Sequence, residues 1–307
     1  EFETGNVLIG SVSRLYMSNK CLLIADHKSV DKQIHIFNKN DFSYLTSIGN
    51  FGEGPEEITV MGCLAIDEAH HQLYVSDHAK QKIFSYDMDS VMVDSLYKPQ
   101  VKTAMNETLF PSEYQYINDT LSIAVLIKPT STSTFNQFLG RWNMNTGEMI
   151  PMKYTHPDIQ KKRITFAASE KAGIYVECYT RHDLMTICSL DGELLYNIYG
   201  PDWDGGNGNK LQSFGTVMIG NDKIFVSYCG EDYARDSFPT KILVFDLEGN
   251  YLKTLETGYK ISDCCYDSFN NRIILSLNDV VQFAYLDIDG IISVSYTHLR
   301  AHETVLD

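Results

Sequence analysis

The run Ile48-Gly49-Asn50-Phe51-Gly52-Glu53-Gly54-Pro55-Glu56-Glu57 opens the stretch that decides the fold. It continues through Gly62-Cys63-Leu64-Ala65-Ile66-Asp67, Leu73-Tyr74-Val75-Ser76-Asp77 and Lys82-Ile83-Phe84-Ser85-Tyr86-Asp87. A Gly/Pro-punctuated loop leads into three short apolar or alternating runs, each long enough for a strand and too short for a helix. Pro55 cannot extend a central strand, and the glycines at 49, 52 and 54 suit a backbone of positive φ. The stretch reads as one unit of an antiparallel meander.

Working outward, two anchors recur along the chain. The first is a four-residue strand core starting at Leu22, Leu73, Leu121, Ile174, Ile224 and Ile273, with successive starts 51, 48, 53, 50 and 49 residues apart. The second is a strand end running into a turn, at Phe37-Asn38, Tyr86-Asp87, Trp142-Asn143, Cys188-Ser189, Phe245-Asp246 and Leu286-Asp287. In its last four copies a glycine follows (Gly147, Gly192, Gly249, Gly290), as a tight hairpin requires. A period near 50 residues with about four strands per unit indicates a blade, and six blades make a propeller. The fold expected is therefore all-β, a six-bladed β-propeller of four-stranded antiparallel blades. A β-sandwich, the competing reading, needs no such equal spacing.

In the second unit, strands are expected at about 61–66, 72–76, 82–87 and 91–97, and the first unit begins near Val12–Met17. Val7–Ile9 are left over and are expected to pair with the last blade, closing the ring. Longer insertions are expected at about 98–116, 127–136, 200–213 and 229–240. One domain spanning 1–294 accounts for the pattern. From about Ser295 to Asp307 the pattern breaks, and the tail resembles translated sequencing-adapter DNA, so His298, His302 and Glu303 are not read as a metal site.

With 307 residues the chain can bury roughly three quarters of its unfolded surface. Aromatic content of 12%, with 19 Tyr and 15 Phe, favours strands. A net charge of −15 repels phosphate backbones, and Lys161-Lys162-Arg163 is the longest basic run, so no nucleic acid partner is expected. No run approaches a transmembrane helix, so none is expected in this chain. The chain starts at Glu1 without a methionine, so its start reads as cut or processed. Seven cysteines with no CxxC pair read as buried small hydrophobes, the alternative being a disulfide between Cys178 and Cys188.

The opening stretch resembles the NHL-type repeat of six-bladed propellers: Gly52-Glu53-Gly54-Pro55-Glu56-Glu57, Leu64-Ala65-Ile66-Asp67, Leu73-Tyr74-Val75-Ser76-Asp77 and Lys82-Ile83-Phe84 match its loop and three strands. As a whole the chain is similar to the TolB-like propellers of Bacteroidetes. That resemblance implies an exported protein of the periplasm or cell envelope, often a lipoprotein, and carries no catalytic residue across.

Propeller geometry places the second-to-third-strand loops and the blade-to-blade loops on one face. There the sequence offers Asp26-His27, Asp77-His78, Arg181-His182-Asp183 and Glu231 to Arg235 as ligand-binding candidates, of which Asp26, His27, Asp77, His78, Arg181, Asp183, Asp232 and Arg235 carry the chemistry. Carboxylates and imidazoles around one channel could bind a cation or act as acid and base. An Asp closing a strand, equally, caps its own turn. Trp203, in Asp202-Trp203-Asp204-Gly205-Gly206-Asn207-Gly208-Asn209, is a candidate contact for a ligand or the neighbouring blade. Glu53, Glu56 and Glu57 read as a solvated acidic face, and His70-His71 and His156-Pro157 as polar turns. No zinc spacing, nucleophile elbow or nucleotide fingerprint occurs, so no catalytic residue, metal site or cofactor is assigned, Ca²⁺ being the one left open. The expectation is a monomeric, non-enzymatic envelope module that binds a protein, peptide or glycan through its loop-rich face; the alternative is a metal-dependent hydrolase or lyase working at the channel mouth.

Overall fold

The structure, a computed structural model, describes residues 1–208, 211–232, 235 and 237–291. It is a ring of six antiparallel sheets. Blade 1 comprises β1 (Ser13–Met17), β2 (Cys21–Asp26), β3 (Lys32–Asn38) and β4 (Tyr44–Asn50); blade 2 comprises β5 (Met61–Asp67), β6 (Gln72–Asp77), β7 (Lys82–Asp87) and β8 (Gln100–Ala104). Blade 3 has β9 (Phe110–Asn118), β10 (Leu121–Pro129), β11 (Phe135–Trp142) and β12 (Met149–Pro151). Blade 4 follows with β13 (Ile164–Ser169), β14 (Ile174–Tyr179), β15 (Leu184–Ser189) and β16 (Leu194–Tyr199). Blade 5 contains β17 (Leu211–Ile219), β18 (Lys223–Asp232), β19 (Lys241–Asp246) and β20 (Tyr251–Glu256). Blade 6 shows β21 (Ile261–Asp267), β22 (Arg272–Leu277) and β23 (Phe283–Asp287), three strands among the described residues.

Every first anchor lies on the second strand of its blade and every second anchor ends the third strand. The reason is burial. The second strands are covered on both faces, so Cys21 to Asp26, Ile174 to Tyr179 and Arg272 to Leu277 are buried at every position. Side chains alternate across a strand, so neighbours in sequence serve different seams. Leu23 and Ala25 pack with Leu64, Val75 and Phe84 of blade 2, whereas Leu22 and Ile24 pack with Ile274 and Phe283 of blade 6. Four further clusters fill the seams between blades 2 and 3, 3 and 4, 4 and 5, and 5 and 6. The core is thus distributed between blades.

Gly147, Gly192 and Gly249 have φ of 78°, 89° and 84°, as their hairpins demand. In blade 2 the expected outer strand at 91–97 is instead the single helical turn α1 (Met88–Val91) and a loop, with the strand moved to Gln100–Ala104. Asp87 causes this: its side chain accepts the Ser90 N–H and caps a helix start. The expected insertion at 98–116 is accordingly β8 and most of β9, and that at 127–136 shrinks to a turn between β10 and β11. All seven cysteines are buried and free. Cys178 pairs across the sheet with Met185 and Cys188 with Tyr175, so a Cys178–Cys188 disulfide is ruled out by register. The expected foreign tail lies outside the described residues.

Val7–Ile9 do not form a strand. Val7 and Ile9 pack as apolar side chains on the seam between blades 6 and 1 while Leu8 points to solvent, and among the described residues the main-chain link is one bond from Phe2 N–H to the Phe283 carbonyl, 3.2 Å. Phe2 stacks on Phe42 at 3.9 Å and Phe283 at 5.7 Å. The seam is further joined by Arg272, whose Nε donates to Asp267 at 3.1 Å and whose Nη2 donates to the Lys39 carbonyl. Its guanidinium lies 4.6 Å from the Phe42 ring centre. Both partners of the Arg272–Asp267 pair are nearly fully buried, and losing Arg272 removes the closest cation from a buried carboxylate otherwise held by the Phe269 and Asn270 N–H groups, while freeing the Lys39 carbonyl and the Phe42 ring face. Arg272→Ala is therefore expected to lower the unfolding free energy by about 3–5 kcal/mol in a urea titration; a loss below about 1 kcal/mol would show that the seam is held otherwise.

Candidate functional site

The first strands of all six blades wall a central channel of about 440 Å³. Within it Arg14 Nη1 of blade 1 donates to Glu113 Oε1 of blade 3 at 2.6 Å. Burial opposes the Arg14 charge, but Tyr16, Glu113, Asp263 and Cys63 around it raise its pKa overall. Asp263 accepts the Leu15 N–H at 2.7 Å and the Thr216 hydroxyl at 2.8 Å, and burial lifts its pKa. Burial likewise pushes the Cys63 thiol up to about 11, which leaves it un-ionised and unreactive at neutral pH.

A second cavity of about 290 Å³ opens where the loop face meets the channel, lined by His27, His78, Arg14, Glu113, Gln137 and Thr165 among others. Here the two Asp–His pairs divide their labour. Asp26 turns inward and accepts the Gly10 and Lys28 N–H groups at 2.8 and 3.0 Å. Asp77, fully buried, accepts the N–H groups of Thr59, Val60, Ala79 and Lys80 at 2.8 to 3.2 Å. Each carboxylate clasps its own turn and the chain entering its blade. The histidines face the mouth: His27 Nε2 meets the Gly62 carbonyl at 3.2 Å, while His27 Nδ1 and His78 Nε2 have no partner. Gly62 makes this possible, since a Cβ there would meet His78 Nε2 at 2.4 Å. Burial lowers the pKa of both rings, so they are neutral at pH 7.

A cavity of about 590 Å³ on the loop face sits over blade 4. Three loops build it: that between β12 and β13, that between β14 and β15, and that between β16 and β17. Lys161, Arg163, Arg181 and His182 line it together with Gln160 and Asn207. The basic run splits by burial. Lys162 points in and pairs with Glu177 at 2.6 Å, both buried, with the Tyr179 hydroxyl on Glu177 at 3.2 Å. Lys161 and Arg163 are left to the cavity. Arg163 is held by the Lys162 carbonyl at 2.7 Å and by the Phe135 ring, 4.3 Å from its guanidinium carbon.

The glycine-rich loop closes the cavity by direct packing. A Cβ at Gly206 would meet the Asp158 carbonyl at 2.4 Å, and one at Gly208 the His182 ring at 2.0 Å. Asp204 accepts the Gly208 N–H at 2.6 Å, so its carboxylate closes its own turn rather than a cation loop. Trp203 anchors the same loop against Tyr199, His156 and His182, with ring centres 5.0, 5.3 and 6.0 Å away. His156, expected on the surface, is buried and meets the Tyr199 hydroxyl at 2.9 Å. Asp183 accepts the Asp202 N–H at 3.0 Å and the Tyr228 hydroxyl at 3.3 Å, and burial raises its pKa; it too positions a loop. Asp232 ends β18 instead of lying in a loop, and Arg235 pairs with Glu231 at 3.3 Å at the blade 5 rim, apart from the cavity lining. The expected acidic face is also built: Glu57 accepts the Gly54 N–H at 2.8 Å and Glu56 pairs with Lys98 at 2.9 Å.

The structure thus brings Arg181 into a site, with His27 and His78 in a separate one. Sequence reasoning missed Lys161, Arg163, Gln160 and His182 as a group. The available signal was the longest basic run of an acidic chain falling on a blade-to-blade loop. Among the described residues, one trio of possible metal ligands, Asp67, His70 and Asp119, gathers its donor atoms within 4.8 Å. It lies on the opposite face, where Asp67 already accepts His70 Nδ1 and the Tyr74 hydroxyl, both at 2.8 Å.

Comparison with known proteins agrees with the fold. A sequence profile of the family DUF5128, described as 6-bladed beta-propeller, matches residues 3–138. No curated protein matches the chain. Among solved structures, a member of the duf4221 family from Bacteroides vulgatus is similar at a TM-score of 0.59 and 9% identity, over 90% of this chain and 92% of that one. A putative exported protein from Bacteroides fragilis gives 0.57 and 14%, over 99% and 85%. The Swd1 beta-propeller domain of Myceliophteria thermophila gives 0.58 and 10%, over 92% and 98%. At these identities the likeness shows the fold.

Two outcomes are expected. Asp77→Ala strands four amides and Asp26→Ala two, so the former should cost at least about 3 kcal/mol in urea unfolding and the latter clearly less. The second concerns pH. Burial lowers His27, His35, His78, His156 and His182 below the usual 6.5, so the unfolded chain binds more protons and stability falls as pH drops below about 6.5. His70, raised by its Asp67 hydrogen bond, acts in the opposite sense, its contribution being lost as pH rises. With five rings against one, unfolding at pH 5.5 should need less denaturant than at pH 7.5; an unchanged midpoint would mean the imidazoles are hydrated.

Proposed function

We propose that the protein is a non-enzymatic binding module that captures its ligand in the cavity over blade 4. One observation carries this reading: three loops from neighbouring blade positions converge on a 590 Å³ hollow whose walls are rigidly packed yet lined by cationic and amide groups. Ligand sites commonly span about 300–1,000 Å³, and loops on a fixed scaffold are where recognition resides. The six-seam ring supplies that scaffold. An exported, cell-envelope location is part of the proposal, supported by the resemblance to exported propellers and by the Bacteroides fragilis relative described as a putative exported protein. No helix among the described residues is long and apolar enough to cross a membrane. We take the working unit to be a monomer.

The test is a thermal-shift screen of glycans and peptides against the parent and Asn207→Trp, which fills the cavity from an exposed loop position. A ligand at 100 times its dissociation constant adds about 2.7 kcal/mol of stability. The parent should show that rise and Asn207→Trp should not. Ca²⁺, Zn²⁺ and EDTA should leave both unchanged; stabilisation by a metal would favour hydrolase or lyase chemistry instead.

A further inference from the structure

We infer that the cavity over blade 4 takes an acidic saccharide, whose hydroxyls meet amides and carboxylate and whose carboxylate or sulfate meets Lys161, Arg163 and Arg181. The inference rests on the binding-module reading and specifies its ligand. Three observations carry it.

The first is charge. The whole chain carries −15, yet among the described residues the lining gathers the cationic groups of Lys161, Arg163 and Arg181 beside the carboxylate of Asp158. Local reversal of sign in a concave site concentrates field on anions and repels cationic partners. Guanidinium groups add planar, paired donors suited to carboxylate and sulfate oxygens. Arg163 is set in place for that by Phe135 and the Lys162 carbonyl.

The second is the character of the wall. Among the described residues that line it, none has an apolar side chain: besides the charged groups they are Gln160, Asn207, His182 and glycines. A nucleobase, a lipid chain or an apolar peptide anchor would find no matching surface there. A ring bearing hydroxyls on every side would, because each amide offers both donors and an acceptor. His182, 7% exposed, adds a ring whose Nδ1 has no partner.

Size supplies the third. At about 590 Å³ the cavity holds many times the roughly 30 Å³ share of one water, so a bare inorganic anion would fill only a corner of it.

The experiment is calorimetric titration of the full chain, Lys161→Glu and Asn207→Trp with four probes: trigalacturonate, a sulfated chondroitin disaccharide, neutral maltotriose and inorganic sulfate. Either acidic sugar should bind the parent at least about tenfold more tightly than maltotriose or sulfate, weaken as salt rises, and lose about tenfold or more in Lys161→Glu. Thermal unfolding of each variant establishes that it is folded. If maltotriose or a peptide from the screen binds as well as the acidic sugars and is lost in Asn207→Trp, the binding module stands and the acidic-saccharide assignment falls. If inorganic sulfate matches the sugars, the hydroxyl contacts contribute nothing and the assignment also falls. If no probe or screened ligand binds, both readings fall together.

Discussion

A blade of this protein is apolar on both faces, and that constraint governs the rest of the structure. A sheet with one wet face alternates polar and apolar side chains; a second strand such as Cys21–Asp26 does not, because each face presses against a different neighbour. Leu22 and Leu23 are one peptide bond apart yet belong to separate seams. No blade can be dry on its own, so stability belongs to the ring as a whole. Among the described residues, blade 6 reaches blade 1 through Arg272, Phe2 and the cluster around Phe42.

On that ring the loops are fixed by buried carboxylates. Asp26, Asp77 and Asp183 each gather backbone amides or a hydroxyl from two segments, so a blade-to-blade loop is tied to a hairpin loop beside it. Lys162 and Glu177 do the same from below the large cavity. The result is a face whose loops are long but anchored. Recognition of this kind loses little ordering entropy on binding, since the walls are set before a ligand arrives.

Much of the architecture was legible because it is repetitive. Six apolar second strands at near-equal spacing report burial on both faces, and Gly49, Gly52, Gly147, Gly192 and Gly249 report positive φ, whereas Gly54 and Gly290, read the same way, do not adopt it. What escaped was local. The helical turn after Asp87 depends on one side chain reaching the Ser90 amide, which no periodicity encodes. Asp26, Asp77 and Asp232 end their strands beside the expected loops, and side-chain orientations were not readable: Asp26 and His27 are adjacent, and one is a clasp while the other faces the channel mouth. Likewise Lys161, Lys162 and Arg163 look like one basic surface run, and only the depth of Glu177 turns the middle one inward. His156 and Trp203 come together from different loops, a contact that no spacing in the sequence announces.

The Arg14–Glu113 pair bridges blade 1 to blade 3 within the axial space, and both its residues also line the hollow at the loop face. It behaves as a crossbar. The axial channel is therefore spanned by a fixed ion pair where it meets the loop face, and any group entering the hollow there meets that pair before it meets the strand walls.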